Sequence, residues 1–236
     1  MTLMIGTITY GNETIRYELR YLSTRRTLGI EVYPDQRVVV RAPVGCGDEV
    51  IARHVRKRAA WISKQLVHFQ RFSPRTPPRR YINGETHLYL GRQYRLKIVQ
   101  GEPASVKMGR GRLVVAVPGR ADPAKVRDLL QVWYRDRAKI IFTDVLEECI
   151  KHFKGHTKPR LIVRSMQSRW GSMAASGTMT LNANLIRAPR ACIKYVVIHE
   201  LCHLEHKHHG PAFMKRLERA MPDWATRKQR LEAALL

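Results

Sequence analysis

His199-Glu200-Leu201-Cys202-His203 brings two imidazoles and a carboxylate together at a spacing suited to metal chemistry. Four residues of α-helix advance by about 400°, so His199 and His203 stand one turn apart on one face. Both imidazoles can then reach a single Zn2+ ion at about 2.0–2.1 Å. Glu200 lies about 100° round from His199, close enough to hold a water without ligating the metal itself. Neutral imidazoles leave a bound ion Lewis acidic, and a carboxylate so placed can take a proton from water and return it to a leaving group. Cys202 falls at an intervening position and reads as apolar filler.

A third ligand has several candidates, because Glu205, His206, His208 and His209 follow closely. If the helix ran on, His206 would stay near the metal face, while His209, about 600° beyond His203, would point elsewhere. His209-Gly210-Pro211 reads instead as a helix stop and a new start, with Pro211 in a first turn and Phe213, Leu217, Ala220 and Met221 as the next apolar stripe. A turn between 206 and 210 lets His209 swing back to the metal. Its offset from His203 matches HExxHxxGxxH enzymes, although His206 takes the place of that glycine. His209 is the preferred third ligand and His206 the competitor.

The elements that must position these groups can be read from periodicity. Ile193, Val197, Leu201 and Leu204 form an apolar stripe opposite the proposed ligands and predict a buried amphipathic helix from 192 to about 205. Upstream, alternation and β-branched content predict strands over 6–10, 16–20, 28–32 and 37–41, with residues 33–36 as a turn. A helix is expected over 48–69, burying Val50, Ile51, Val55, Ala59, Ile62, Leu66 and Phe69. Residues 112–117 with Pro118, then a helix from 124 to about 153, echo 37–42 with Pro43 and its helix, so a β-hairpin–helix unit used twice is expected. Residues 169–172 read as a tight turn before a strand over 178–182. The Pro- and Arg-rich stretch 71–80 reads as a surface connector. The expected regions are 1–75, a β-hairpin–helix region; 76–123, β-rich; and 124–236, helical and catalytic.

Lys and Arg outnumber Asp and Glu by 43 to 19, giving a formal charge of +24. So strong a positive potential attracts polyanions without selecting among them. Residues 53–80 carry nine Lys or Arg, no acid, and Trp61, Phe69 and Phe72 among them. Such a pattern could grip single-stranded nucleic acid, but the aromatics fall largely on the apolar helix face, so packing is the favoured reading. Mean hydropathy of −0.35 and the lack of a long apolar run argue for a soluble, cytoplasmic protein with no membrane partner. Cys46, Cys149, Cys192 and Cys202 contain no CxxC pair and read as reduced thiols.

Ser168-Arg169-Trp170-Gly171-Ser172, Thr180-Leu181-Asn182, Pro189, the segment 195–204, then His209 and Phe213 together resemble the YgjP-like family of zinc metallopeptidase-type hydrolases, related to SprT-like proteins. Gly84-Glu85, Tyr89-Leu90-Gly91 and Tyr94 extend the resemblance over nearly the whole chain. It implies an α+β fold: N-terminal β-hairpin and helix units, followed by a minimal zincin domain with a small sheet beside the HExxH helix. It also implies zinc on His199, His203 and His209, with Glu200 as base. In zincins a strand lies along the cleft, so Asn182 or nearby backbone is expected to border the site. Arg169 could hold a carboxylate or phosphate, or simply pack a turn. Met173 stands where relatives commonly have Cys, and His208-His209-Gly210 where they tend to have Asn-His-Ser; neither departure removes a proposed ligand. A zinc-dependent, metallopeptidase-like hydrolase of a peptide substrate is the leading expectation. The alternatives are phosphoanhydride hydrolysis in a nucleoside triphosphate at the same metal, and a nucleic-acid-associated SprT-like module that binds nonspecifically through its basic surface.

Overall fold

A computed structural model describes residues 4–33, 35–71, 78–166 and 169–235. It divides into two compact units, Met1–Thr76 and Pro77–Leu235. Part of the expected connector, residues 72–77, lies outside the described residues, as do Pro34 and Ser168.

In the first unit β1 (Met4–Tyr10), β2 (Glu13–Leu22), β3 (Gly29–Val32) and β4 (Val38–Pro43) form a sheet in the order β1-β2-β4-β3. Its apolar face, including Ile8, Ile15, Val38 and Val40, is closed by Ile51, Val55 and Ile62 from the following helices. The single helix expected over 48–69 is two: α1 (Asp48–Lys57) and α2 (Ala59–Gln70). At the joint Arg58 leaves helical geometry (φ −104°, ψ 5°) and its N–H bonds the carbonyl of Val55 at 3.0 Å. The fully buried Ala59 follows, small enough to let both helices meet the sheet. No Gly or Pro marks the break, so periodicity alone could not locate it. Val50, expected inside, is half exposed at 50%.

The second unit repeats the pattern. β5 (Thr86–Tyr89), β6 (Arg92–Gln100), β7 (Ser105–Gly109) and β8 (Arg112–Val117) are ordered β5-β6-β8-β7. The central pair is parallel in both sheets, and the outer pairs are antiparallel. Pro43 ends β4 and Pro118 directly follows β8, so the echo seen in sequence corresponds to one topology used twice. α3 (Pro123–Cys149) starts where Asp122 accepts a hydrogen bond from the Ala124 N–H at 2.9 Å and Pro123 fills the first turn. A three-stranded sheet of β9 (Arg160–Arg164), β10 (Gly171–Met173) and β11 (Thr178–Asn182), ordered β10-β11-β9, precedes α4 (Arg190–Cys202), α5 (Pro211–Ala220) and α6 (Trp224–Leu235).

Leu96, Leu113 and Val115 of the four-stranded sheet share one core with Phe142 of α3, Leu181 of β11 and Val197 of α4. The stretches expected as separate regions, 76–123 and 124–236, therefore fold around one interior. The architecture is α+β. Among the described residues no helix is long and apolar enough to cross a membrane.

This shared core also sets where α4 begins. At the β5–β6 turn the N–H groups of Leu90 and Gly91 donate to the carbonyls of Ile186 and Arg187, both at 2.9 Å. Gly91 has φ +78°, and a Cβ there would lie 2.7 Å from the Pro189 ring. Glycine is thus required twice over, for backbone conformation and for contact. The turn presses directly on the residue that starts the HExxH helix.

Candidate active site

α4 is buried almost all round: Ile193, Val197 and Leu201 are fully inaccessible, as are Cys192 and Cys202. Burial pushes the Cys202 thiol up to about 12, which keeps it protonated and inert. The helix ends at Cys202, earlier than expected, and His203 is its cap residue. The chain then turns, and Gly210-Pro211 starts α5. Phe213 and Leu217 dock that helix; burial of such side chains is worth about 1.5–3 kcal/mol each. This docking carries His209 back over α4.

Ligating atoms of His199, His203 and His209 all lie within 4.8 Å of one another. His209 Nε2 is 3.0 Å from His199 Nε2. Two ring nitrogens at that distance need either a proton between them or a cation beside both. His203 Nδ1–H donates to the His206 backbone carbonyl at 3.0 Å, which leaves Nε2 as its lone-pair nitrogen and fixes the ring. His206 thus contributes its carbonyl, and its ring is not part of the group. Glu205 is engaged elsewhere, paired with Arg216 at 2.8 Å. Among the described residues the group contains three imidazoles and no fourth donor, the ligand count of a catalytic rather than a structural zinc site.

The electrostatics favour the neutral, lone-pair form of His199 and His209. Burial, reinforced by His209 and His203, holds His199 down at about 4, and burial also lowers His209. The ring of Phe213 lies 5.0, 4.8 and 4.6 Å from those of His199, His203 and His209. This apolar floor presses all three rings together. The three-imidazole donor set, the lowered His199 and His209 and the carbonyl that fixes His203 fit a zinc ion.

Glu200 is 5% exposed and outside the histidine group. Burial raises its carboxyl to about 7, opposed by the positive charge of Arg169 and by a hydrogen bond from the Met173 N–H. A divalent cation beside it would favour the ionised form further. Gly171 is the residue that sequence reasoning misread. Residues 171–173 form strand β10 rather than a turn, and the turn falls at 174–177, where Gly177 N–H donates to Ala174 O at 3.0 Å. A Cβ on Gly171 would sit 2.7 Å from Glu200 Oε1 and 2.8 Å from its Cγ. The glycine is needed because the carboxylate lies against its backbone.

Asn182, expected at the rim, acts from behind it. It is 3% exposed, and its Nδ2 donates to the carbonyls of Met166 and Arg169 at 2.8 and 3.0 Å. It thereby pins the segment that carries Arg169. Arg169, Met173, Lys207 and the histidine group border a cleft of about 710 Å³ with Glu200 in its wall.

Comparison with solved structures finds the metallopeptidase zymogen abylysin of Pyrococcus abyssi, at 21% identity and a TM-score of 0.36, over 38% of this chain and 90% of that one. The metallopeptidase zymogen jannalysin of Methanocaldococcus jannaschii is similar at 18% identity and a TM-score of 0.37, over 40% and 97%. No curated protein sequence matches the chain. A family model described as YgjP-like, metallopeptidase domain, matches residues 26–234. With nearly the whole length covered, the chain belongs to the YgjP-like family.

Proposed function

We propose that the protein is a zinc-dependent hydrolase of peptide bonds in which His199, His203 and His209 hold the metal and Glu200 is the general base. The observation that carries this reading is the three-imidazole group with a buried, uncoordinated carboxylate beside it in one open cleft. When bound, zinc supplies a Lewis acid that polarises a carbonyl and acidifies water. Glu200 takes the proton from the attacking water and returns it to the leaving nitrogen. The Met173 N–H holds the carboxylate in place through that cycle, and Phe213 keeps the three rings in register. Among the described residues β10 pairs only with β11, so its other edge can receive an extended peptide by strand addition, which favours a peptide over a compact substrate.

One observation supports a second reading. Arg169 and Lys207 border the cleft, and among the described residues neither side chain makes an ion pair. Such cations suit the phosphates of a nucleoside triphosphate equally well, and phosphoanhydride hydrolysis uses the same base and metal. Zinc-loaded protein incubated with peptide and nucleoside triphosphate panels, with Glu200→Gln as blank, separates the two. Variant-sensitive peptide cleavage is the expected result; variant-sensitive release of pyrophosphate or phosphate alone would replace the first reading with the second.

Gly171→Ala should lower turnover by about 10²-fold, the cost of a displacement of roughly 1 Å at a reacting group. The added methyl must move Glu200, because the three atoms nearest to it all belong to the Glu200 side chain. Zinc content should not change, since the added methyl meets Glu200, which is outside the three-histidine group. Steady-state kinetics with parallel metal analysis check both halves; unchanged kinetics would show that Glu200 has room to spare.

A further inference from the structure

The solvent face of the β5-β6-β8-β7 sheet carries a second built feature, far more basic than the cleft. Strand alternation and register place Arg95 of β6 directly opposite Arg112 of β8, while Lys97 of β6 and Lys107 of β7 flank Val114 of β8 on either side. Neighbouring strands lie about 4.8 Å apart, so two guanidinium stems stand one strand spacing from each other. Arg110 joins them from the β7–β8 turn, and Lys97, Lys107, Arg110 and Arg112 line a groove of about 560 Å³. No Asp or Glu occupies a strand position on this face. The opposite face, with Leu96, Leu113 and Val115, is the core.

Like charges directly opposed on a sheet destabilise it, and among the described residues none of these five cations has a hydrogen bond or ion pair to offset that cost. Protection of an exposed sheet edge accounts for lysine on an edge strand such as β7. It does not account for Lys97 and Arg112, which lie on the two central strands. An external anion that spans several cations would offset the repulsion.

We propose that this face binds the phosphate backbone of double-stranded nucleic acid without sequence selectivity. A duplex presents one charge per roughly 1.7 Å of axis, enough to engage cations spread over three strands. The face has no aromatic side chain on which bases could stack, which disfavours single strands. Its apolar groups are few: Val99, Val114 and Ala116 are half-buried, and Met108 at the groove is the one exposed large side chain among the residues that line it, too little apolar surface to enter a bilayer. Residues 53–80, where the charge run first drew notice, are not the site proposed: the described cations from 53 to 64 lie on α1, α2 and their joint, not on this sheet.

The test is fluorescence anisotropy of a labelled 20-base-pair (roughly two helical turns) DNA duplex with the full chain, titrated across salt concentrations. The triple variant Lys97→Gln/Lys107→Gln/Arg112→Gln should weaken binding on the order of 10²-fold at about 0.1 M salt, and reduce the slope of log K against log salt by about 2.7. The control Arg53→Gln/Arg56→Gln/Lys57→Gln should change affinity much less. Arg110→Gln, in a turn and outside the strand pairing, should by itself reduce the slope by about 0.9 and does not depend on the triple variant folding. Wild-type affinity in the triple variant and in Arg110→Gln, an equal loss in the control, or binding to phosphatidylserine vesicles in place of the duplex would each overturn the proposal.

Discussion

Glu200→Gln abolishes most turnover while leaving zinc in place: the expected loss is about 10²- to 10⁴-fold, the usual contribution of a positioned acid–base group. The amide is isosteric and can still accept the Met173 N–H, so the local geometry survives, but it cannot take a proton from water. Glu200 is outside the three-histidine group, so zinc affinity should stay near wild type. The substitution also removes a buried carboxyl whose charged form burial disfavours, so the melting temperature should not fall and can rise. Steady-state rates, metal titration and thermal melts on one preparation read all three. Retained activity would remove Glu200 from the mechanism, and lost zinc would make it a ligand.

His209→Ala has the larger effect on the metal. Even outer-shell partners of zinc ligands cost roughly 10–100-fold in affinity, so deletion of one of three imidazoles should cost at least about 10²-fold. At saturating zinc, a site filled at about 100 times its Kd stabilises the fold by about 2.7 kcal/mol, and most of that metal-dependent stabilisation should vanish. His206→Ala is the informative control, because the His206 carbonyl, which orients His203, survives the substitution. Competition with a chromophoric chelator measures both affinities. If His206→Ala releases zinc and His209→Ala does not, the turn between α4 and α5 is in a different register in solution.

Much of this site could be read from the sequence because its signals are local. The stripe of Ile193, Val197 and Leu201 defines the helix, the His-Glu-x-x-His spacing defines its face, and Gly210-Pro211 marks the restart that returns His209. What sequence could not show is non-local. Gly171 resembles any turn glycine until β10 is seen against Glu200, and Asn182 resembles a rim residue until its hydrogen bonds to the backbone behind the cleft are traced. Residues 76–123 read as a separate region because a strand pattern does not say which helix covers it, and here α3 and α4 do. The break at Arg58 escaped notice because a buried alanine, not a glycine or proline, permits it.

The lowered His199 and His209 and the packing of the three rings on Phe213 suit the binding of one cation. Elemental analysis of chain purified without chelators or added metal is the most direct check on that arrangement. About one zinc per chain is expected, falling sharply in His199→Ala, since a group of three imidazoles with no fourth donor among the described residues has the composition of a catalytic zinc site. Material that is active in hydrolysis yet holds no stoichiometric transition metal would contradict it.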